Sequence, residues 1–212
     1  MRRKALFLAA AVFALILAGC GGGDGGSTPQ VFVSEALSDQ GVDGFISQDV
    51  VGTLTLFPAL TSGFISVGVD PFTFTEDRGF LDFPLVGKVP ANAIVTYAFV
   101  EIFVNRIQVP PVPILIDLVE FTPPLITTDF FRSPPIPFLG PVATQGPVII
   151  PLSAAGGPPV VIDVTSLVQL AIDRGDQTFQ IRLFLDTFTA AGTIEIDDAA
   201  AEFAPLLHVE YL

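Results

Sequence analysis

The sequence is poor in the residues on which most nucleophilic and transition-metal chemistry depends. Its 212 residues include one cysteine, one histidine, two tyrosines and no tryptophan. A single cysteine, Cys20, excludes an intrachain disulfide. With His208 as the only imidazole, a zinc or copper site built from several nitrogen and sulfur ligands is excluded as well. No Gly-x-Ser-x-Gly segment occurs, so the nucleophile elbow of the serine hydrolases is absent.

Basic charge is also scarce. Nine Lys and Arg residues stand against 22 Asp and Glu residues, giving a formal net charge of −13. Such a chain repels nucleic acid and anionic lipid headgroups, so we expect neither as a partner. The many carboxylates could supply a general acid and base, but no spacing singles out a pair. We therefore expect a protein that is not an enzyme.

Apolar residues are abundant. Half of the chain is hydrophobic and 20 residues are Phe, which excludes disorder for most of its length. The 19 Gly and 19 Pro favour many turns over long helices. A chain of this size can bury one sizeable core, and a single domain is the default expectation.

The amino-terminal segment has the pattern of a targeting signal. Three cations, Arg2, Arg3 and Lys4, precede a run without charge from Ala5 to Ala18. Fourteen helical residues span about 21 Å, which is short of the ~30 Å hydrocarbon core of a bilayer. Residues 1–19 are therefore interpreted as a cleaved signal peptide rather than a membrane span.

The end of this segment resembles the signal peptides of bacterial lipoproteins, because residues 17–20 (LAGC) match their lipobox. The resemblance implies cleavage between Gly19 and Cys20 and attachment of a diacylglycerol to the Cys20 sulfur. The alternative is an ordinary signal peptide followed by an unrelated cysteine. Gly21 stands where an inner-membrane retention signal has Asp, which favours the outer membrane or the cell surface. We expect an extracytoplasmic protein held to the membrane by its lipid.

Cleavage would leave six basic and 22 acidic residues, a formal net charge of −16. Residues 20–30 are Gly-rich and are expected to form a flexible tether that spans roughly 17 Å. Residues 31–212 are expected to form the folded domain.

Short runs of β-branched and aromatic residues between Gly, Pro and Asp predict about a dozen strands in this domain. The longest, Ile94–Val104, is apolar on both faces and is predicted to lie centrally, covered on both sides. One short helix is predicted near 166–174, with Thr165 as its cap and Gly175 at its end. The Pro-rich segment 132–146 is predicted to be a long loop. The fold class is all-β, a two-sheet antiparallel β-sandwich of jelly-roll type.

The order of these segments resembles the disaggregatase-related (DNRLRE) domain family over roughly residues 43–212. The family implies a β-sandwich like that of carbohydrate-binding modules, in secreted bacterial and archaeal proteins. The chain departs from the family at Phe99, where a smaller or aliphatic residue is usual, and in its Pro-rich middle. The matching motifs are VGVD at 67–70, RGFLDF at 78–83, VPANAIV at 89–95, IDVT at 162–165 and the closing segment at 204–211.

No cofactor is required by these patterns, but a structural Ca²⁺ is compatible with the chain. Carboxylate oxygens are the ligands that Ca²⁺ prefers, and several Asp residues lie in or beside predicted turns. No EF-hand spacing is present. Solvated surface carboxylates are the alternative interpretation. The candidate ligands are Asp43, Asp70, Asp77, Asp197 and Asp198, with Asp39 nearby.

Our leading hypothesis is a lipid-anchored, non-enzymatic module with a structural, adhesive or ligand-presenting role at the cell envelope. A glycan or another envelope protein would be its partner, in addition to the membrane. A carbohydrate-binding module is the alternative, but sugar platforms use Trp and Tyr, and only Tyr97 and Tyr211 are present. A polysaccharide hydrolase or lyase is the third hypothesis. His208, between Leu207 and Val209 in a terminal strand, is expected to be a packed or surface imidazole.

Overall fold

The structure is a computed structural model that describes residues 29–132, 144–186 and 191–212. The predicted signal peptide, the Gly19–Cys20 cleavage site, the lipidated Cys20 and most of the tether lie outside the described residues. The described residues form thirteen strands. They are β1 (Phe32–Leu37), β2 (Gly44–Gln48), β3 (Leu54–Pro58), β4 (Phe64–Val69), β5 (Glu76–Pro84), β6 (Val95–Ile102), β7 (Val104–Gln108), β8 (Val112–Leu118), β9 (Thr144–Ile150), β10 (Val160–Asp163), β11 (Thr178–Leu185), β12 (Gly192–Asp197) and β13 (Leu206–Tyr211).

The strands form two sheets, and every strand pair in them is antiparallel. Sheet A has the order β1-β13-β6-β10. Sheet B follows the path β7-β12-β4-β5-β11-β8-β9, and β2 joins it by pairing with β5 and with β3. The prediction of an all-β, two-sheet antiparallel sandwich is confirmed.

Alternation of apolar residues along the strands explains the core between the sheets. In β5, Leu81 and Phe83 point inward, and in the neighbouring β11 their counterparts are Ile181 and Phe179. The rings of Phe83 and Phe179 lie 6.2 Å apart. Because strands reverse their side chains at every residue, the intervening Asp and Arg residues of β5 and β11 point to the opposite face of sheet B.

A second, smaller apolar cluster covers that opposite face. It joins residues of β2 and β5 to the segment that follows β8, and the rings of Phe80 and Phe121 meet edge to face at 5.8 Å. Sheet B is therefore apolar on both faces over this region. The cluster contains Ile46, Phe80, Val119, Phe121, Leu125 and Phe130.

The predicted helix is present as α2 (Thr165–Arg174), but Thr165 does not cap it. Thr165 is the first helical residue, and its side chain makes no capping hydrogen bond to the first turn. Instead, the Asp163 carboxylate accepts a hydrogen bond from the Thr165 N–H at 2.9 Å, and the Thr165 hydroxyl accepts one from the Ala98 N–H. Gly175 ends the helix in the left-handed conformation, as predicted (φ 76°). A one-turn helix, α1 (Ala59–Ser62), and two 3₁₀ turns, Thr127–Phe131 and Leu152–Ala154, were not predicted.

One strand prediction and one loop prediction need correction. The strand β6 is central in sheet A, but it is covered on one face only, since Ala98 and Val100 are buried while Tyr97 is 39% exposed. The predicted loop 132–146 ends earlier than expected, because Thr144–Gly146 already belong to β9, where they pair with β8. Residues 133–143 of that predicted loop lie outside the described residues.

No helix within the described ranges has both the length and the hydropathy of a membrane span.

Candidate functional site

The outer face of sheet A has a distinct chemical pattern. We use this name for the side chains of β1, β6, β10 and β13 that point away from the core. They are mostly apolar or acidic, and the antiparallel register places them side by side on neighbouring strands. The members are Val33, Glu35, Leu37, Tyr97, Phe99, Glu101, Val161, Asp163, Leu206, His208 and Glu210.

This face has no positive charge apart from what His208 carries when protonated. The four strands contain no Lys and no Arg. Its apolar members are well exposed, with Val33 at 58%, Val161 at 51% and Leu37 at 43% of full exposure. Because scattered exposed apolar residues are normal on protein surfaces, the feature that distinguishes this face is the lack of Lys and Arg in its four strands.

Aromatic rings form a row at the centre of this face. The Phe99 ring stacks on the His208 ring at 4.6 Å with an interplanar angle of 13°, and Tyr97 lies beside Phe99 at 5.6 Å and 46°. His208 Nδ1 lies 3.3 Å from Glu35 Oε1, and its Nε2 lies 3.5 Å from Glu210 Oε1. Because Phe99 and His208 use a flat face on each other, this pair does not offer two free faces for stacking on a sugar ring.

A separate pocket of about 580 Å³ lies at one end of the sandwich, between the segment after β5, the end of α2 and the last strand. Its wall is apolar at Leu85 and Ile172 and polar at Lys88, Asp176 and Tyr211. The only carboxylate in the wall is that of Asp176, which accepts a bond from Arg174 Nε at 3.0 Å. The volume suits a small ligand, but the wall lacks the two carboxylates that a glycoside hydrolase requires.

The candidate calcium ligands are divided between two regions. Asp70 and Asp77 lie at the junction of β4 and β5. Asp77 accepts hydrogen bonds from the hydroxyls of Ser66 and Ser47, and burial raises its pKa despite these bonds. Asp70 caps a turn by accepting bonds from the N–H groups of Phe72 and Thr73, which lower its pKa.

Asp43 and Asp198 lie in the second region, where the turn 39–43 meets the chain that follows β12. The Gln40 amide donates to the Asp198 carbonyl, and the Asp198 N–H donates to the Gly63 carbonyl at 3.2 Å. Asp197 is peripheral here, since its carboxylate accepts a bond from the N–H of Ala199 at 3.0 Å.

Asp82 of β5 joins Asp43 in this region, although sequence reasoning did not select it. The Asp82 N–H donates to Asp43 Oδ1 at 2.7 Å, and the Asp39 N–H donates to the Asp82 carbonyl at 2.8 Å. Burial, with the charges of Asp198 and Asp82, raises the pKa of Asp43 to about 9. Burial, with the charges of Asp197 and Asp39, raises the pKa of Asp198 to about 7.

The two regions do not merge into one metal centre. Within the described ranges, no group of three or more His, Cys, Asp or Glu side chains converges closely enough to hold a metal ion by itself. Calcium at the five aspartates proposed from the sequence therefore stays a prediction.

The sequence of this chain matches no protein-family model and no characterised protein significantly. The resemblance to the disaggregatase-related family and the lipoprotein assignment therefore stay predictions that rest on the motifs quoted above.

Proposed function

We propose that the protein is a non-enzymatic module, tethered to the cell envelope through an acylated Cys20, that presents the outer face of sheet A to another envelope protein. The observation that carries the proposal is the composition of this face. It combines exposed Val, Leu and Tyr side chains with Glu35, Glu101, Asp163 and Glu210, and its strands contain no Lys or Arg.

Charge complementarity defines the partner surface. The four carboxylates share these strands with no Lys or Arg, and only His208 lies beside Glu35 and Glu210, so the face would attract a surface that carries Lys or Arg. The attraction weakens as salt screens it. The exposed apolar side chains between the carboxylates would supply the desolvated centre of such a contact. We therefore expect a partner with a basic rim around an apolar patch, and we expect the association to weaken as ionic strength increases.

Site-specific photo-crosslinking in intact cells tests this proposal with the full chain. A benzophenone side chain replaces Tyr97 on the outer face of sheet A. As a matched control it replaces Phe203, which has the same 39% exposure but lies between β12 and β13. We expect a discrete protein adduct from position 97 only. The adduct should disappear in a Glu101→Lys, Glu210→Lys background and persist in a Glu202→Lys background.

An adduct that is equally strong from both positions, or that survives the two charge reversals, would contradict the proposed contact. Turnover of a polysaccharide that is lost on changing one carboxylate would contradict the non-enzymatic assignment.

A carbohydrate-binding module is the second candidate, and the pocket beside α2 favours it. Its wall includes Tyr211, whose ring stacks on that of Phe32, together with Lys88, Asp176 and Gln177, around a volume that suits a sugar unit. Affinity electrophoresis against plant, bacterial and algal glycans tests this candidate. Retardation that is abolished by Tyr211→Ala and unaffected by Tyr97→Ala would support it. Unchanged mobility on every glycan would exclude it.

A further inference from the structure

Unpartnered buried oxygens are concentrated at one place in the fold. Among the described residues, six buried side-chain polar atoms lack a hydrogen-bond partner, and four of them are carboxylate oxygens of Asp43, Asp82 and Asp198. Asp43 and Asp198 are each only 1% exposed, and Asp82 is 5% exposed. Buried polar groups are normally paired, so a concentration of this kind indicates a missing ion, water or proton.

The three aspartates are held together by the chain around them. Asp43 Oδ1 accepts a hydrogen bond from the Asp82 N–H, while Oδ2 has no partner within hydrogen-bond distance, although the Ser38 hydroxyl lies beside the carboxylate. One oxygen of Asp82 is likewise unpartnered, although the side chains of Thr178 and Gln180 neighbour that carboxylate. The Asp198 main chain is fixed on both sides, by Gln40 and by Gly63, while both of its carboxylate oxygens remain unpartnered. The turn 39–43 therefore lies between β5 and the end of β12, with free carboxylate oxygens on either side of it.

No cationic side chain compensates these charges. None of the ion pairs found in the described part of the chain includes Asp43, Asp82 or Asp198. Burying ionised carboxylates without a counter-charge is very costly, so they must be either neutralised by protons or compensated by a bound cation.

We propose that Asp43 and Asp198, with Asp82 beside them, form a binding site for a hard divalent cation, Ca²⁺, which links the turn 39–43 to the chain that follows β12. Two carboxylates supply the charge. Since no three acidic side chains of the described residues converge closely enough to hold an ion unaided, main-chain oxygens and water complete the shell. Ca²⁺ accepts six to eight oxygen ligands in irregular geometry, whereas Mg²⁺ demands a near-ideal octahedron, so Ca²⁺ is the better match.

The proposed ion would have a structural role. It would bind close to the beginning of β2, which pairs with β5, and close to the end of β12, which pairs with β4. Bridging these segments would hold the turn 39–43 and the end of β12 together. This role is independent of the contact proposed for the outer face of sheet A.

Thermal unfolding of the purified full chain in detergent tests the site. After removal of metal with EDTA, Ca²⁺ at a hundred times its dissociation constant should raise the midpoint by about 5–10 °C, and Mg²⁺ should raise it less. Asp198→Asn and Asp43→Asn should abolish most of the Ca²⁺ response. Glu202→Gln, which removes an exposed carboxylate from the segment that follows Asp198, should respond as the wild type does.

The Asp→Asn variants also distinguish whether a bound cation or a bound proton neutralises the buried carboxylates. If Ca²⁺ occupies the site, Asp198→Asn should unfold at a higher temperature than the wild type in EDTA and at a lower temperature in Ca²⁺. If protons alone neutralise the aspartates, Asp198→Asn should have the same effect in both buffers, and the proposal is overturned.

A calorimetric titration of the wild type decides the question even where the variants fail to fold. Saturable binding of one Ca²⁺ supports the proposal, and the absence of binding overturns it.

Discussion

The guanidinium of Arg182 on β11 is paired with the carboxylate of Asp117 on β8, and both side chains are almost completely buried. Each of the two side chains also makes hydrogen bonds to other parts of the chain. The Thr144 hydroxyl donates to Asp117 Oδ1 at 2.6 Å, and Arg182 also donates to the carbonyls of Phe130 and Arg132. This network connects sheet B to the 3₁₀ turn at Thr127–Phe131, and it holds the apolar cluster against the sheet.

Breaking this pair from one side should be costly. Asp117→Leu or Arg182→Met leaves the remaining partner buried without its counter-charge, which we expect to lower the free energy of unfolding by about 3–5 kcal/mol. Urea unfolding of the full chain measures the change. In the double variant Asp117→Leu, Arg182→Met no buried charge is left over, so its loss should be smaller than the two single losses added together. Additive losses would contradict the coupling.

The alternation of apolar residues made the strands of this chain predictable, because it depends on local sequence only. The β5 segment containing Leu81 and Phe83, and the helix end at Gly175, follow from rules of this kind. The sequence could not predict which face of each strand is covered by another part of the chain, because the covering segments are distant in sequence. The prediction that Ile94–Val104 is covered on both sides was wrong because no described segment packs on Tyr97, whereas Phe80 is covered by Phe121.

Gly68 on β4, which lies between β12 and β5 in sheet B, should not tolerate a larger side chain. Its φ is 131°, and a Cβ atom there would lie 2.1 Å from the Gly192 carbonyl oxygen of the paired strand β12. Gly68→Ala combines backbone strain with a steric clash, so we expect a loss of about 3 kcal/mol or more. Gly52→Ala is the control, because Gly52 also has a positive φ (87°) but has no atom within 4 Å of the added methyl. It should cost about 1 kcal/mol. Equal losses in urea unfolding would contradict the role of the clash.

The candidate sites show the same limit of sequence reasoning. Glu35, His208 and Phe99 become neighbours through strand register alone, although Glu35 and His208 are 173 residues apart. The two selected aspartates Asp43 and Asp198 are brought together by the turn 39–43, and Asp82 was missed because it looks like an ordinary solvent-facing residue of an alternating strand. The signal that could have identified Asp82 was its position as a lone carboxylate between the apolar residues Leu81 and Phe83.

Localisation should depend on the sulfur of Cys20. Cys20→Ser removes the atom to which a diacylglycerol would be attached, so we expect the precursor to remain uncleaved and the acyl label to be lost. Fractionation of cells grown with a labelled fatty acid measures both effects. Ser27→Ala, in the same Gly-rich segment, is the control and should be labelled and processed as the wild type is. Unchanged processing and membrane recovery of Cys20→Ser would contradict the lipoprotein assignment.

The buried aspartates should make the stability of the metal-free protein depend on pH. The pKa of Asp43 is raised to about 9 and that of Asp198 to about 7, both from 3.8. Because the folded chain then binds more protons than the unfolded chain, this stabilisation is complete below about pH 4 and is lost as pH rises through 7 and 9. Urea midpoints in EDTA should therefore decrease from pH 5 to pH 8.5.

Raised pKa values at Asp77 and Asp82 act in the same direction, and Asp39 and Asp197 provide the neighbouring negative charges. Asp198→Asn should flatten the decrease between pH 5 and 7, where the folded wild type holds a proton on Asp198 that the unfolded chain has lost, whereas Glu202→Gln should leave the decrease parallel to the wild type. Ca²⁺ bound as proposed would displace the protons from Asp43 and Asp198, so its addition at pH 7 should release protons. Calorimetric titrations in two buffers of different ionisation enthalpy count them. A midpoint that is independent of pH in EDTA would show that these carboxylates are not buried together in the folded protein.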